Sequence, residues 1–364
     1  MHRCLVGIRE FWNEFLVAIQ RLFVQHAFFG DHGHSDVALG CFICRACAVA
    51  CGAANESFIP VGYLVTDVMT SDPVVTVLLS AYNGADFIEQ QLNSLLLQAS
   101  KNFVIYIRDD GSTDATRNII DLYSLNNPGV VVHVRDELGN LGAANSFLAL
   151  LNHVKEPAYV MFCDQDDVWF PDKIEKFLSR IREVESDRPS GTPVLVFGDM
   201  VVTDEFLSVI SDSFWAYQRI QVNGCGDWQK LLVSNCVTGC SSILNSQATH
   251  LLKTFDRSPV LHDLLAAVLV AKNGVVEPMP IPTMYYRQHA VNVEGARHFG
   301  VGYLASRLRR FITGSVPRYV AFCRLMGMPL WLAVLLKLSS VISRLMLRGT
   351  RESHLLPGCS GNKK

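Results

Sequence analysis

Two acidic clusters offer the most pointed chemistry in this sequence: Asp109-Asp110 and, further on, Asp164-Gln165-Asp166-Asp167. Carboxylates crowded at neighbouring positions of a fold repel one another strongly unless a cation lies between them. Asp164 and Asp166 are two apart, so in extended backbone both side chains point the same way. Hard divalent cations choose such oxygen ligands, and Mg2+ typically takes one or two carboxylates together with phosphate oxygens of a substrate. Taken singly, an aspartate at a strand end also serves as a turn former. No Gly-x-Gly-x-x-Gly follows the first apolar run, where Ser80-Ala-Tyr-Asn-Gly84 stands, and there is no Walker A lysine loop. A dinucleotide oxidoreductase or a P-loop enzyme is therefore disfavoured, and a metal bridging to a diphosphate is the better reading. A separate motif invites other chemistry. Cys41, Cys44, Cys47 and Cys51 have the C-x2-C-x2-C-x3-C spacing of an iron–sulfur run. Gly52 stands where bacterial ferredoxins place a proline, and no second cysteine run follows.

The acidic residues need a scaffold, and the pattern supplies one. The continuous apolar run 74–82 reads as a strand buried on both faces. Residues 85–98 place Ile88, Leu92, Leu95 and Leu96 on one helical stripe. A second strand over 103–110 ends in the first acidic cluster. Ser112 is placed to cap a helix over 113–125. A strand at 130–134, a helix over 143–154 and a strand at 159–163 follow, the last leading into the second acidic cluster. Pro171 suits the first turn of a helix over 172–184. Such alternation predicts an α/β fold, a mostly parallel sheet flanked by helices, with ligands at the carboxyl ends of its strands. Trp169 and Trp215 read as core, and Lys173 as an exposed helix residue.

Several segments together resemble one family. Leu79-Ser-Ala-Tyr-Asn-Gly84, Arg108-Asp-Asp-Gly-Ser-Thr-Asp114, Asn140-Leu-Gly-Ala-Ala-Asn-Ser-Phe147 and Cys163-Asp-Gln-Asp-Asp-Val-Trp169 look like the family 2 glycosyltransferases of GT-A fold. Thr238-Gly-Cys240, His262-Asp263 and Tyr286-Arg-Gln-His289 with Asn292 extend the resemblance, which is greatest to the bacterial rhamnosyltransferase-like branch of surface polysaccharide and O-antigen synthesis. It spans residues 72–300. One departure is that Leu264 and Leu265 follow His262-Asp263 where the branch usually has Trp.

The resemblance implies an inverting transfer of a sugar, with dTDP-L-rhamnose the suggested donor, to a glycan or polyprenyl-diphosphate-linked acceptor. It implies Mg2+ or Mn2+ as cofactor. It further implies that Tyr82, Asn83, Asp109, Asp110, Asp164 and Arg287 contact the nucleotide-sugar. Asp166 and His289 would hold the metal, and Asp263 would be the base that deprotonates the acceptor. By spacing alone Asp263 reads better as a helix N-cap before the apolar run 264–270, and the resemblance, through the upstream Thr238-Gly-Cys240, reverses that preference. The alternative assignment is an iron–sulfur electron-transfer or regulatory protein using Cys41, Cys44, Cys47 and Cys51 beside a degenerate transferase domain.

Composition bounds the rest. The 364 residues are 49% hydrophobic and 18% charged, enough apolar material for a sizeable core. A net charge of −2 removes any general argument for nucleic-acid binding. Eleven cysteines, an odd number with five before residue 52, do not form a disulfide framework and suit a reducing, cytoplasmic setting. The mild net charge hides an asymmetry. Residues 297–351 carry ten Lys and Arg and no Asp or Glu, so the remainder sums to −12. The expected organisation is an N-terminal extension over 1–70, unordered or preceding a natural start at Met69. A GT-A domain over 71–300, a basic amphipathic helical tail over 301–350 and an unordered end over 351–364 follow. No apolar run reaches the ~18 residues of a membrane-spanning helix. The tail suits the interface of an inner membrane at its cytoplasmic face, or a helical lid on the catalytic domain.

Overall fold

The computed structural model describes residues 75–155, 159–289 and 316–346. The expected extension with its Cys41–Cys51 run, Met69, Asn292, residues 301–315 of the tail and the segment 351–364 lie outside the described residues.

Among the described residues one sheet of nine strands organises the molecule. Strand β1 (Val75–Ala81) is flanked by β2 (Phe103–Asp109) and β4 (Tyr159–Cys163), with β3 (Val131–Val134) beyond β2, all four parallel. Helix α1 (Ile88–Leu96) follows β1, α2 (Thr116–Asn126) follows β2, and α3 (Ala143–Leu151) follows β3. This half matches the sequence pattern closely. Val75, Val77, Leu78 and Leu79 are wholly buried because helices cover both faces, and α1 buries the stripe Ile88, Leu92 and Leu95.

The second half departs from a mostly parallel sheet. After the short β5 (Val168–Trp169) and helix α4 (Lys173–Ser186) come β6 (Val194–Thr203) and β7 (Val209–Ser211). Two short helices, α5 (Phe214–Tyr217) and α6 (Trp228–Val233), lead to a 3-10 turn at Gly239–Ser241 and β8 (Ser242–Leu244). Helices α7 (Ser246–Lys253) and α8 (His262–Asn273) precede the long β9 (Val275–Arg287). The strand order is β3-β2-β1-β4-β8-β6-β9-β5, with β7 on β6. β8 runs antiparallel to both β4 and β6, β6 runs parallel to β9, and β5 runs antiparallel to β9, so the sheet is mixed. β9 contains Pro278, Pro280 and Pro282, which cannot donate to a ladder. The register with β6 accordingly shifts between Gly198 and Asp199.

Ser112 does not cap α2. That helix begins at Thr116, whose amide donates to Asp114 Oδ1 at 3.0 Å, while Ser112 Oγ accepts from the Asn83 amide at 2.9 Å. In the basic tail, α9 (Val316–Leu325) and α10 (Leu330–Met346) pack on the domain. Phe322 and Cys323 are buried, Lys272 Nζ donates to the Met326 carbonyl at 2.9 Å, and Lys337 Nζ donates to the Val233 carbonyl. Among the described residues no helix is long and apolar enough to cross a membrane.

Candidate active site

Three neighbouring strand ends meet at one edge. Ala81 pairs with Asp109 and Leu79 with Cys163, so Tyr82–Asn83, Asp109–Asp110 and Asp164–Asp167 emerge side by side. The backbone there is tied across strands. The Gln165 side chain accepts from the Tyr82 amide at 2.8 Å and donates to the Tyr82 carbonyl at 3.0 Å. Gly84 makes room for it, since a Cβ there would lie 2.2 Å from Gln165 Oε1. Asn83 adopts φ 48° and its Oδ1 accepts from the Thr113 amide at 2.8 Å. The Tyr82 ring, 48% exposed, stands open at this edge beside the partly exposed Asp109, whose Oδ1 accepts from the Ser112 amide at 3.2 Å.

Asp110 and Arg287, both expected at the donor, hold protein partners in this structure. Asp110 is buried, and its carboxylate accepts from the Leu141 amide at 2.7 Å and the Gly142 amide at 2.8 Å, with Arg108 on the same group. It fixes the Asn140-Leu-Gly142 loop instead of facing solvent. Arg287 is also buried. Its guanidinium donates to the Asp166 carbonyl (2.8 Å), the Glu205 carbonyl (2.8 Å) and Gln90 Oε1 (2.5 Å), and stacks over Phe87. Three of its five N–H donors are so engaged, and the guanidinium clamps the end of β9 to the aspartate turn.

The expected metal pair is brought together across 123 residues of chain. His289 Nε2 lies 2.8 Å from Asp166 Oδ2, with the ring against Phe87. Behind them sits a buried polar cluster. Asp167 is fully buried; its Oδ1 accepts from the Arg287 amide at 3.1 Å and its Oδ2 has no partner. One ligand atom each from Asp164, Asp167 and Cys240 falls within 4.8 Å of the others. Burial first, then the neighbouring Asp166, pushes the Asp164 carboxyl up, and the same two causes push Asp167 further; the Cys240 thiol and Lys173 oppose this at Asp164. A set of hard oxygen donors with an orphaned buried carboxylate oxygen and a histidine nitrogen fits a divalent cation. Asp166 and His289 would hold it, with Asp164 beside them.

Lys173 overturns its reading as an exposed helix residue. It is fully buried, its Nζ donates to the Cys240 carbonyl at 2.6 Å, and it lies 3.8 Å from the Trp169 ring centroid. Trp169 and Trp215 are themselves buried, as read. A signal for Lys173 was present: with Phe177 and Ile181 it falls on the buried stripe of α4.

Asp263 is not an N-cap. Leu261 occupies that position, and Asp263 lies in the first turn of α8, partly exposed, its Oδ1 accepting from the Leu264 amide at 2.6 Å. Beneath it His262 is fully buried between Phe147 and Phe162, ring centroids 4.1 Å and 4.8 Å away, and neither ring nitrogen has a partner. Burial lowers its pKa to about 3, so it is neutral at pH 7. Gly239 abuts it: a Cβ there would lie 2.4 Å from His262 Nε2. The Gly239–Cys240 turn thus touches the helix of Asp263 on one side and Asp164 on the other. A cleft of about 420 Å³ lined by Arg182, Glu185, Thr192 and Asn245 lies elsewhere, beside the start of β6 and the end of β8.

The fold and site define an α/β domain that gathers carboxylates and a histidine at the carboxyl ends of its strands, where ligands of such sheets bind. Among known families, residues 76–220 match the family model of Glycosyl transferase family 2. The dTDP-rhamnosyl transferase RfbG of Shigella flexneri is 36% identical over 99 residues, 27% of this chain and 34% of that protein. A Bacillus subtilis (strain 168) protein assigned to teichuronic acid biosynthesis, the glycosyltransferase TuaG, is 36% identical over 112 residues, 30% and 43% of the two chains. This chain therefore spans less than half the length of these relatives. Among solved structures, the mannosyltransferase PcManGT of Pyrobaculum calidifontis in complex with GDP-Man and Mn2+ overlays with a TM-score of 0.44 at 17% identity. The overlay covers 83% of this chain and 87% of that one.

Proposed function

We propose that the chain is an inverting glycosyltransferase that uses a divalent cation, Mg2+ or Mn2+. It moves a sugar from a nucleotide-diphospho-sugar to a glycan or polyprenyl-diphosphate-linked acceptor in surface polysaccharide synthesis. The observation that carries this reading is the meeting of Asp166 with His289 beside the ends of β1 and β2. The nucleoside lies along Tyr82 and Asn83, with Asp109 accepting from the base. A divalent ion, when bound, supplies Lewis-acid neutralisation of the charge on the departing nucleoside diphosphate. The Asp263 carboxylate takes the proton of the acceptor hydroxyl as its oxygen attacks the anomeric carbon opposite the leaving group. One displacement inverts that centre. Rhamnose from dTDP-L-rhamnose is the donor favoured by the similarity to RfbG. The cation-rich tail supports a site of action at the cytoplasmic face of an inner membrane, where a lipid-linked acceptor would lie.

Thermal unfolding of the full chain with dTDP-L-rhamnose and a panel of UDP- and GDP-sugars, with and without Mn2+, tests the reading. At 100 times Kd a true donor stabilises the fold by about 2.7 kcal/mol. The shift should grow with Mn2+, and D166N should remove the Mn2+-dependent part. No shift with any donor at millimolar concentration sinks it.

A further inference from the structure

We propose that the tip of the β6–β7 hairpin is a glycan subsite, where the Phe206 ring takes the apolar face of a pyranose of the acceptor. The proposal rests on the glycosyltransferase reading above and adds to it where the acceptor is held. Phe206 is 80% exposed, the most exposed large apolar side chain among the described residues, and Val209 and Ile210 are exposed as well. Apolar residues scattered singly on a surface are ordinary, whereas three within five positions of one hairpin form a patch. Trp169 and Trp215, the other aromatic candidates for a sugar face, are buried.

The tip is placed by the site itself. Thr203 pairs with Arg287, and its carbonyl accepts from the Gln288 amide at 2.9 Å. The Arg287 guanidinium then donates to the Asp166 carbonyl and to the Glu205 carbonyl, each at 2.8 Å. Phe206 is therefore the next residue after one tied to the Asp166–His289 pair. β9 takes one flank of β6, so β7 at Val202–Thr203 shares the other with β8 at Leu195–Phe197. That flank carries the Gly239–Ser241 turn, which abuts His262 next to Asp263. The hairpin thus lies past β4 from the strand ends of Tyr82 and Asp109, on the flank of the base. A ring whose hydroxyl gives its proton to Asp263 has its place there.

The turn is built to hold the ring still. Asp204 Oδ1 accepts from the Phe206 amide at 3.0 Å and the Ser208 amide at 2.8 Å, and the Asp204 amide donates to the Ser208 carbonyl at 3.0 Å. Leu207 adopts φ 64°, a left-handed conformation that a bulky side chain takes only at a cost. A tied turn has little freedom left to lose when a ligand binds. Charge selects the occupant. Glu205 and Asp212 are exposed, and no Lys or Arg occurs from 189 to 218. Carboxylates accept hydrogen bonds from sugar hydroxyls, and they repel an anionic lipid surface. A neutral polyol with one apolar face suits this mixture of an aromatic ring and acids.

The test uses the full chain with F206A, which removes the ring, and F206W, which keeps one. Methyl glycosides of rhamnose, glucose, galactose and N-acetylglucosamine are the probes, at millimolar concentration, read by saturation-transfer NMR. Parent and F206W should pass saturation to the ring protons of at least one glycoside, and F206A should bind it about tenfold more weakly. The rise in melting temperature given by a nucleotide-sugar with Mn2+ should be the same in parent and F206A. Glycoside binding that F206A leaves unchanged, or that the parent lacks, overturns the proposal. A donor shift lost together with the glycoside signal overturns it too, by placing the ring at the donor. So does vesicle sedimentation weakened by F206A with glycoside binding intact, which would give the tip to lipid. If no nucleotide-sugar shifts the parent, the glycosyltransferase reading falls and takes the subsite with it; a donor shift without a glycoside signal removes the subsite alone.

Discussion

Asp263 sits one residue from a histidine that does not share its work. His262 is buried without hydrogen-bond partners, whereas the neighbouring carboxylate is partly open and held by the Leu264 amide. Under the proposed function the proton-accepting task is assigned to the aspartate alone. D263N keeps the shape and removes the base, and it should lower kcat by about 100- to 10,000-fold, the usual worth of a general base. Donor affinity, read by calorimetry with the nucleotide-sugar, should stay within about threefold, because binding energy comes from the other strand ends. A D263N enzyme that turns over normally excludes Asp263 as base. Asp110 and Arg287 teach a related lesson at this scale. Both look like ligand-binding groups in a motif, and each also holds protein partners: loop amides for the first, two backbone carbonyls and Gln90 for the second.

Helix α8 rests on its buried imidazole, and that gives the element a pH dependence. The folded chain holds His262 neutral, with a pKa of about 3, against 6.5 ordinarily. Above pH 6.5 both folded and unfolded chains carry it neutral, so nothing is lost. As pH falls below 6.5 the unfolded chain takes a proton that the folded chain refuses. Stability therefore declines, by up to about 1.4 kcal/mol per pH unit, until the folded pKa is reached. Urea unfolding between pH 7 and pH 5 should show this slope, and H262L should flatten it while keeping an apolar body between Phe147 and Phe162. Identical slopes in the two proteins would rule the imidazole out as the cause. Elements were unequally legible. The first four strands and three helices could be read because each buries a continuous run or a single stripe. β9 could not, because three prolines disguise a strand whose amides are excused by a register shift against β6.

Across the whole molecule the charge is divided. In residues 316–346 the cations Arg318, Arg324, Lys337 and Arg344 are accompanied by no acidic residue. On the same two helices Leu325, Trp331 and Leu335 are more than half exposed, although the opposite side packs on the domain. Basic residues beside exposed apolar ones suit an anionic lipid surface, each cation contributing about 1 kcal/mol near it. The full chain should sediment with phosphatidylglycerol vesicles and stay free of phosphatidylcholine ones, and W331S/L335S should weaken that binding about tenfold. Equal sedimentation with both lipids would argue against an electrostatic seat. Pattern along the chain was enough for the α/β alternation of the first half and the acidic strand ends. These depend on neighbours within a few residues or on residue type alone. Which polar groups are spent on protein partners inside was decided only by the fold. Lys173 meets Cys240, and Arg287 meets Glu205 and Gln90, across 67, 82 and 197 residues. The energy of a buried charge is decided by whatever partners it finds there, and no spacing in the sequence records them.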